Sequence, residues 1–180
     1  MKKYLTIAVC IFVISLIFGH PGYGADFDLP KDIQVQVCFS PKGRCTEAII
    51  HEIDRAKSEI LIQAYSFTSA PIAKSLVTAH KRGVKVQAIL DKSQRSEKYT
   101  SATFLFNAGI PTYIDSKHAI AHNKVMIIDH TKVITGSFNF TKAAEEKNAE
   151  NLLIIPSSEL AKSYLANWQQ HREHSEPYGR

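Results

Sequence analysis

One stretch of the chain brings an imidazole, an ammonium, a hydroxyl and an amide into regular spacing: His122 and Lys124, then Ser137 and Asn139. In an extended strand, residues two apart point to the same face, so His122 and Lys124 share a face, and so do Ser137 and Asn139. The apolar runs between them read as two strands, 122–129 and 132–139, joined at His130-Thr131. A two-residue turn there pairs Asp129 with Lys132. That register sets His122 opposite Asn139 and Lys124 opposite Ser137, and cross-strand partners have Cβ atoms about 5 Å apart. Four polar side chains are expected on one small patch.

Such a patch suits a phosphodiester. The lysine supplies fixed positive charge, and the amide and hydroxyl donate hydrogen bonds to phosphoryl oxygens. The histidine can attack phosphorus or carry a proton near neutral pH. This reading needs no metal and no cofactor. A lone His-x-Lys is more often a solvated strand face, so the convergence of four residues under one register is what separates the two readings. Asp129 has the opposite strand parity and is expected to serve the turn through an Asx-type hydrogen bond. On the residues alone Glu150 has two readings: an acid that orients the histidine through its second ring nitrogen, or an exposed loop acid beside Glu145 and Glu146.

The elements that must position these groups alternate along the chain. Strands are expected at 33–39, 60–67, 84–90, 110–114 and 151–155, besides the hairpin. Helical spacing is expected over 46–57, from Pro71 to Gly83, around 102–106 and over 160–168. Pro71 can open a helix and Gly83 can cap one. Near-continuous apolar strands alternating with helices predict an α/β fold: a mixed β-sheet sandwiched between α-helices, in a single domain, with the hairpin making the sheet mixed.

The 180 residues carry a formal net charge of +5, to which Lys2 and Lys3 contribute ahead of a short apolar run and a Gly-rich exit. Residues 1–24 therefore read as a signal peptide cleaved before Ala25, leaving 25–180 as the functional domain. The run is short for a span of about 20 residues, so an uncleaved membrane anchor is the alternative. The protein is expected to be exported, periplasmic or secreted. Its mild basic excess is compatible with a polyanionic substrate and is equally that of a solvated surface. Cys10 lies in the leader. Cys38 and Cys45 flank a turn-rich loop, and in an exported chain they are expected to form a disulfide. With no CxxC pattern, no metal site is expected.

On these residues the chain resembles the phospholipase D superfamily, whose signature is His-x-Lys-x4-Asp-x6-Gly-Ser/Gly-x-Asn. His122, Lys124, Asp129, Gly136, Ser137 and Asn139 match it at every spacing. Segments 63–68, 136–144 and 148–151 are similar to the small, single-motif bacterial endonucleases of the Nuc type and to related small phospholipases D. The resemblance implies a mixed sheet between helices and a homodimer that brings two motifs into one metal-independent site. It implies that one His122 attacks phosphorus to form a phosphohistidine, while the partner's His122 protonates the leaving oxygen. It further implies that Lys124 and Asn139 hold the phosphoryl oxygens and that Glu150 orients His122. The substrate implied is nucleic acid, DNA or RNA, with a phospholipid head group as the alternative. A nuclease should carry a basic rim, for which Lys92, Arg95, Lys98, Lys117 and Lys142 are candidates. A lipase should carry an apolar one. A non-catalytic nucleic-acid-binding module is the third class, and the intact constellation argues against it.

Overall fold

Among the described residues, eight strands lie in one sheet. The computed structural model describes residues 29, 32–97 and 100–179; the expected leader, Cys10 and Lys98 lie outside them. In chain order the elements are β1 (Gln36–Ser40), α1 (Cys45–Arg55), β2 (Glu59–Ala64), α2 (Ala70–Lys81), β3 (Lys85–Asp91), a short 3-10 turn (Lys92–Arg95), α3 (Ser101–Asn107), β4 (Thr112–Asp115), β5 (Lys124–Ile128), β6 (Lys132–Gly136), α4 (Lys142–Glu146), β7 (Glu150–Pro156), α5 (Ser158–His174) and β8 (Glu176–Pro177). The sheet runs β1-β7-β6-β5-β2-β3-β4-β8. The fully buried β5 and the nearly fully buried β2 occupy the centre, where both faces are covered. β2, β3 and β4 are parallel, joined by crossover helices; β5 meets β2 antiparallel, and the sheet is mixed as expected.

One face of the sheet packs against α1, α2 and α3. Ile60, Ile62, Leu90 and Met126 meet Ile49, Ile53, Leu76 and Leu105 there. Pro71 sits in the first turn of α2, and Gly83 follows that helix with φ +96°, the left-handed conformation that a helix-terminating glycine takes without strain. The other face packs against α5 through Leu61, Ile89, Val125, Ile127, Val133 and Trp168. Trp168 is buried and donates from Nε1 to the carbonyl oxygen of Ile62 at 3.0 Å. Truncating so large a buried side chain costs about 3–5 kcal/mol, which makes it the main anchor of α5. Among the described residues no helix is long and apolar enough to cross a membrane.

The α5 side of the sheet is only partly covered. On the edge strand β1, Cys38 and Ser40 turn into the core, so Val37 and Phe39 point to the opposite face. Phe39 is 67 % exposed. The two pair with Leu153 and Asn151 of β7 and leave an apolar strip beside the end of the β5–β6 hairpin.

Two expectations are corrected. The hairpin pairs Ile128 with Lys132 and Met126 with Ile134, so its turn holds three residues, Asp129, His130 and Thr131. Asp129 is drawn off the ladder. Its backbone takes φ +52°, and its carboxylate accepts from the amides of Lys57, Ser58 and Glu59 and from the Ser58 hydroxyl at 2.7–3.0 Å. It therefore serves the start of β2 rather than its own turn. The one-residue shift moves Lys124 away from Ser137 and opposite Gly136 by extension of the ladder, and His122 away from Asn139. Secondly, Cys38 and Cys45 are both buried as free thiols, where a disulfide was expected. Burial pushes the Cys45 thiol up to about 12, with the neighbouring Cys38 adding to the rise. Both side chains pack there as small apolar groups.

Candidate active site

His122 sits in the segment leading into β5, one residue before Asn123, whose carbonyl oxygen accepts from the Tyr65 amide at 2.8 Å. That bond holds the segment against the chain leaving β2. The Tyr65 ring lies 4.6 Å from the imidazole of His122, centroid to centroid, tilted at 50°. The Lys124 ammonium lies over the same ring, 5.1 Å from its centroid, within cation–π range. Lys124 also donates from Nζ to the carbonyl oxygen of His122 at 2.8 Å. His122 is exposed, whereas Lys124 is only 6 % exposed. The structure thus joins His122 and Lys124 through Tyr65 and a backbone carbonyl.

Burial lowers the pKa of Lys124, and the nearby Glu150 carboxylate opposes that fall. The ammonium is a charge held in a partly dry setting, where it acts on an approaching anion more strongly than a surface lysine does. Glu150 opens β7 opposite Ser40, and its Oε1 accepts from Asn148 Nδ2 at 3.1 Å. Its carboxylate favours the charged form of Lys124.

Ser137 and Asn139 follow β6 where the chain bends away. Gly136 has φ +145°, and a Cβ there would lie 2.3 Å from the carbonyl oxygen of Asn151, so both conformation and space demand glycine. That approach allows the Ser137 and Phe138 amides to donate to the same carbonyl at 3.1 and 3.2 Å. The Ser137 hydroxyl accepts from the backbone amide of Asn151 at 3.0 Å and from its side-chain Nδ2 at 3.3 Å. Ser137 therefore fastens the motif to β7. Asn139 is held between the fully buried Phe138 and Phe140, and Phe140 bridges to Phe67, two residues beyond Tyr65. Asn139 Oδ1 is buried without a hydrogen-bond partner among the described residues, as is Nε2 of Gln63, which lies opposite Val125.

The arrangement presents an exposed imidazole above a buried cation, with an amide on the neighbouring bend. It can bind a tetrahedral anion and offer it a nucleophilic nitrogen. Of the candidate rim cations, Lys92 donates from Nζ to the carbonyl oxygen of His118 at 3.1 Å and Lys117 is exposed on the segment between β4 and His122. Arg95 pairs with Glu176 and Lys142 with Glu146. Tyr65 was missed as a site residue, because a tyrosine ending an apolar strand carries no chemical signal by itself. A cluster of Asp115, His118, His171 and His174 was also missed, although the paired spacings Asp115-x-x-His118 and His171-x-x-His174 were visible signals.

The model of the family described as "Cardiolipin synthase, PLD-like domain" matches residues 49–172. A Rickettsia felis protein named phospholipase D is 50 % identical over 135 residues, covering 75 % of this chain and 68 % of its own. Mouse mitochondrial cardiolipin hydrolase is 30 % identical over 122 residues, covering 68 % and 55 %. The crystal structure of the phospholipase D family member Nuc from Salmonella typhimurium superposes with a TM-score of 0.78 at 43 % identity, covering 82 % of this chain and 99 % of that one.

Proposed function

As the chain belongs to the phospholipase D superfamily and is a phosphodiesterase, we propose that it is a metal-independent, exported endonuclease of low sequence preference, working as a homodimer. The observation that carries this reading is the exposed His122 imidazole set on Tyr65 beside the buried ammonium of Lys124. In the first step His122 attacks phosphorus. A P–N bond forms as the P–O bond to the leaving oxygen breaks, and the partner's His122 gives that oxygen its proton. In the second step the same imidazole takes a proton from water. The new P–O bond forms as the P–N bond breaks, and both histidines return to their starting states. Lys124 and Asn139 hold the phosphoryl oxygens throughout, and Glu150 tunes the charge of Lys124.

The homodimer is supported by the need for a second imidazole and by the openness of His122 in the single chain. The apolar strip of Val37 and Phe39, left uncovered by α5 beside the hairpin, offers a surface for isologous contact. The nuclease reading is supported by Lys92 and Lys117 on the approach to His122. The second reading, a phospholipase D, is favoured by one observation: Ile120, two residues before His122, is 57 % exposed. Purified protein offered DNA, RNA and phosphatidylcholine side by side in EDTA decides between them. Cleavage of nucleic acid with intact lipid is expected. Head-group release with intact nucleic acid overturns the nuclease reading in favour of the lipase.

A further inference from the structure

Away from His122, the Asp115 side chain is buried at 0 % exposure and is surrounded by three imidazoles. Its Oδ2 lies 2.7 Å from His171 Nδ1, 3.0 Å from His118 Nδ1 and 3.2 Å from His174 Nε2. Its Oδ1 accepts from the Lys117 amide at 3.1 Å and lies 3.2 Å from His118 Nδ1. The three rings are 4.9–5.3 Å apart, centroid to centroid. One ligand atom from each of the four residues lies within 4.8 Å of every other. Four ligands around a tetrahedral ion with bonds of about 2.0–2.1 Å sit about 3.3–3.4 Å apart, so small side-chain movements close the set onto a cation.

We propose that Asp115, His118, His171 and His174 form a four-coordinate site for one zinc-class divalent cation, which staples α5 to β4 and to the segment that presents His122. The ligand chemistry is selective. Three neutral imidazoles and one carboxylate are borderline donors that suit zinc and its neighbours rather than magnesium or calcium. The four residues come as two pairs, each spaced three apart: Asp115 and His118 at the end of β4, His171 and His174 in the last turns of α5. Each pair is set by its own element, and the packing of α5 on the sheet brings them together. A surface cleft lined by Lys117, His118, Gln170, His171, Glu173 and His174 gives an ion its way in.

The location gives the staple a purpose. Lys124, Ala64, Leu90 and Ile114 are successive partners across four adjacent strands, so Asp115 ends its strand at the same edge of the sheet as the active site. Three strand spacings separate the two, about 14 Å. The chain runs directly from Asp115 and His118 to His122. It is fixed at two further points, by Lys92 Nζ on the His118 carbonyl and by Asp91 Oδ2, which accepts from the Ala121 amide at 2.7 Å. A cation would fix the start of the same segment and tie it to α5. Its role is structural, so the site stands whether the substrate is nucleic acid or lipid.

The test uses purified protein stripped of metal by chelation and dialysis. Added Co²⁺ should give the intense visible bands of a four-coordinate ion, saturating at one equivalent per chain, and Zn²⁺ should abolish them. Zn²⁺ should also raise the melting temperature. His171→Ala and His174→Ala should lose both responses, while His51→Ala, remote from the cluster, should keep them. If the helix variants do not fold, His118→Ala decides, since its side chain is 43 % exposed on a surface segment. Absent cobalt bands with unchanged melting would overturn the proposal and leave a hydrogen-bonded cluster only; so would responses that persist in His118→Ala and His174→Ala together.

Discussion

The ammonium of Lys124 donates to the backbone carbonyl of His122 at 2.8 Å, so the cation proposed to bind phosphate also fixes the segment that carries the proposed nucleophile. Lys124→Ala should lower kcat/KM by about 10²–10³, the usual cost of removing one donor aimed at developing oxyanion charge. Burial lowers the pKa of Lys124 while Glu150 opposes the fall, so its charge is lost at a lower pH than that of a surface lysine. The alkaline limb of the pH–rate profile should follow this titration. Glu150→Gln removes the opposing carboxylate and should move that limb to lower pH. If Glu150 instead acts by orienting His122, the same variant would lower kcat at every pH and leave the limb in place.

Asp129 should matter for folding before it matters for chemistry. Its carboxylate gathers three backbone amides and a hydroxyl at the start of β2. Asp129→Ala leaves those donors without their partner and should cost about 2–3 kcal/mol in urea unfolding at neutral pH. Burial alone would raise the pKa of this acid, but the hydrogen bonds from the Ser58, Glu59 and Lys57 amides outweigh it and hold the pKa below the ordinary value. The stability it supplies is complete above the unfolded pKa of about 3.9 and is lost as pH falls through the lower folded value. The gap in stability between wild type and variant should therefore narrow in acid. A constant gap down to the lowest pH at which the protein folds would refute this assignment.

Gly136→Ala tests the approach of the motif to β7. The added Cβ would meet the Asn151 carbonyl at 2.3 Å in a backbone conformation that disfavours side chains. A loss of roughly 1–3 kcal/mol is expected from the strain. Displacement of Ser137 and Asn139 should raise KM as well. Unchanged melting and unchanged KM would show that the bend does not depend on this glycine.

The two thiols can be counted directly. Cys45 is fully buried and its thiol is pushed up to about 12, so it should resist alkylation in the folded protein. Cys38 and Cys45 should both react once the protein is unfolded without reductant. A mass showing neither available would mean that the pair is bonded in the purified protein.

The residues of the candidate site were legible in the sequence because their spacing is local: His122, Lys124, Gly136, Ser137 and Asn139 lie on one hairpin and its flanks. The register was not. Turn length depends on Asp129 leaving its own strand for amides about 70 residues earlier in the chain, and no local pattern encodes that capture. Ser137 likewise finds its partner on β7, whose position beside β6 is a matter of sheet order. The α/β class and mixed sheet followed from apolar runs of strand length separated by helical spacing. The contact between Asp115 and His171, 56 residues apart, exists only once α5 has docked on the sheet.

Central to the account is a site that needs His122 from two chains. Wild-type protein should be mixed with increasing His122→Ala protein under conditions in which chains exchange, and phosphodiesterase activity measured at constant total concentration. Heterodimers hold one imidazole and lack either nucleophile or acid, so activity should fall as the square of the wild-type fraction. A fall in direct proportion to that fraction, with each wild-type chain keeping its full activity, would contradict the shared site.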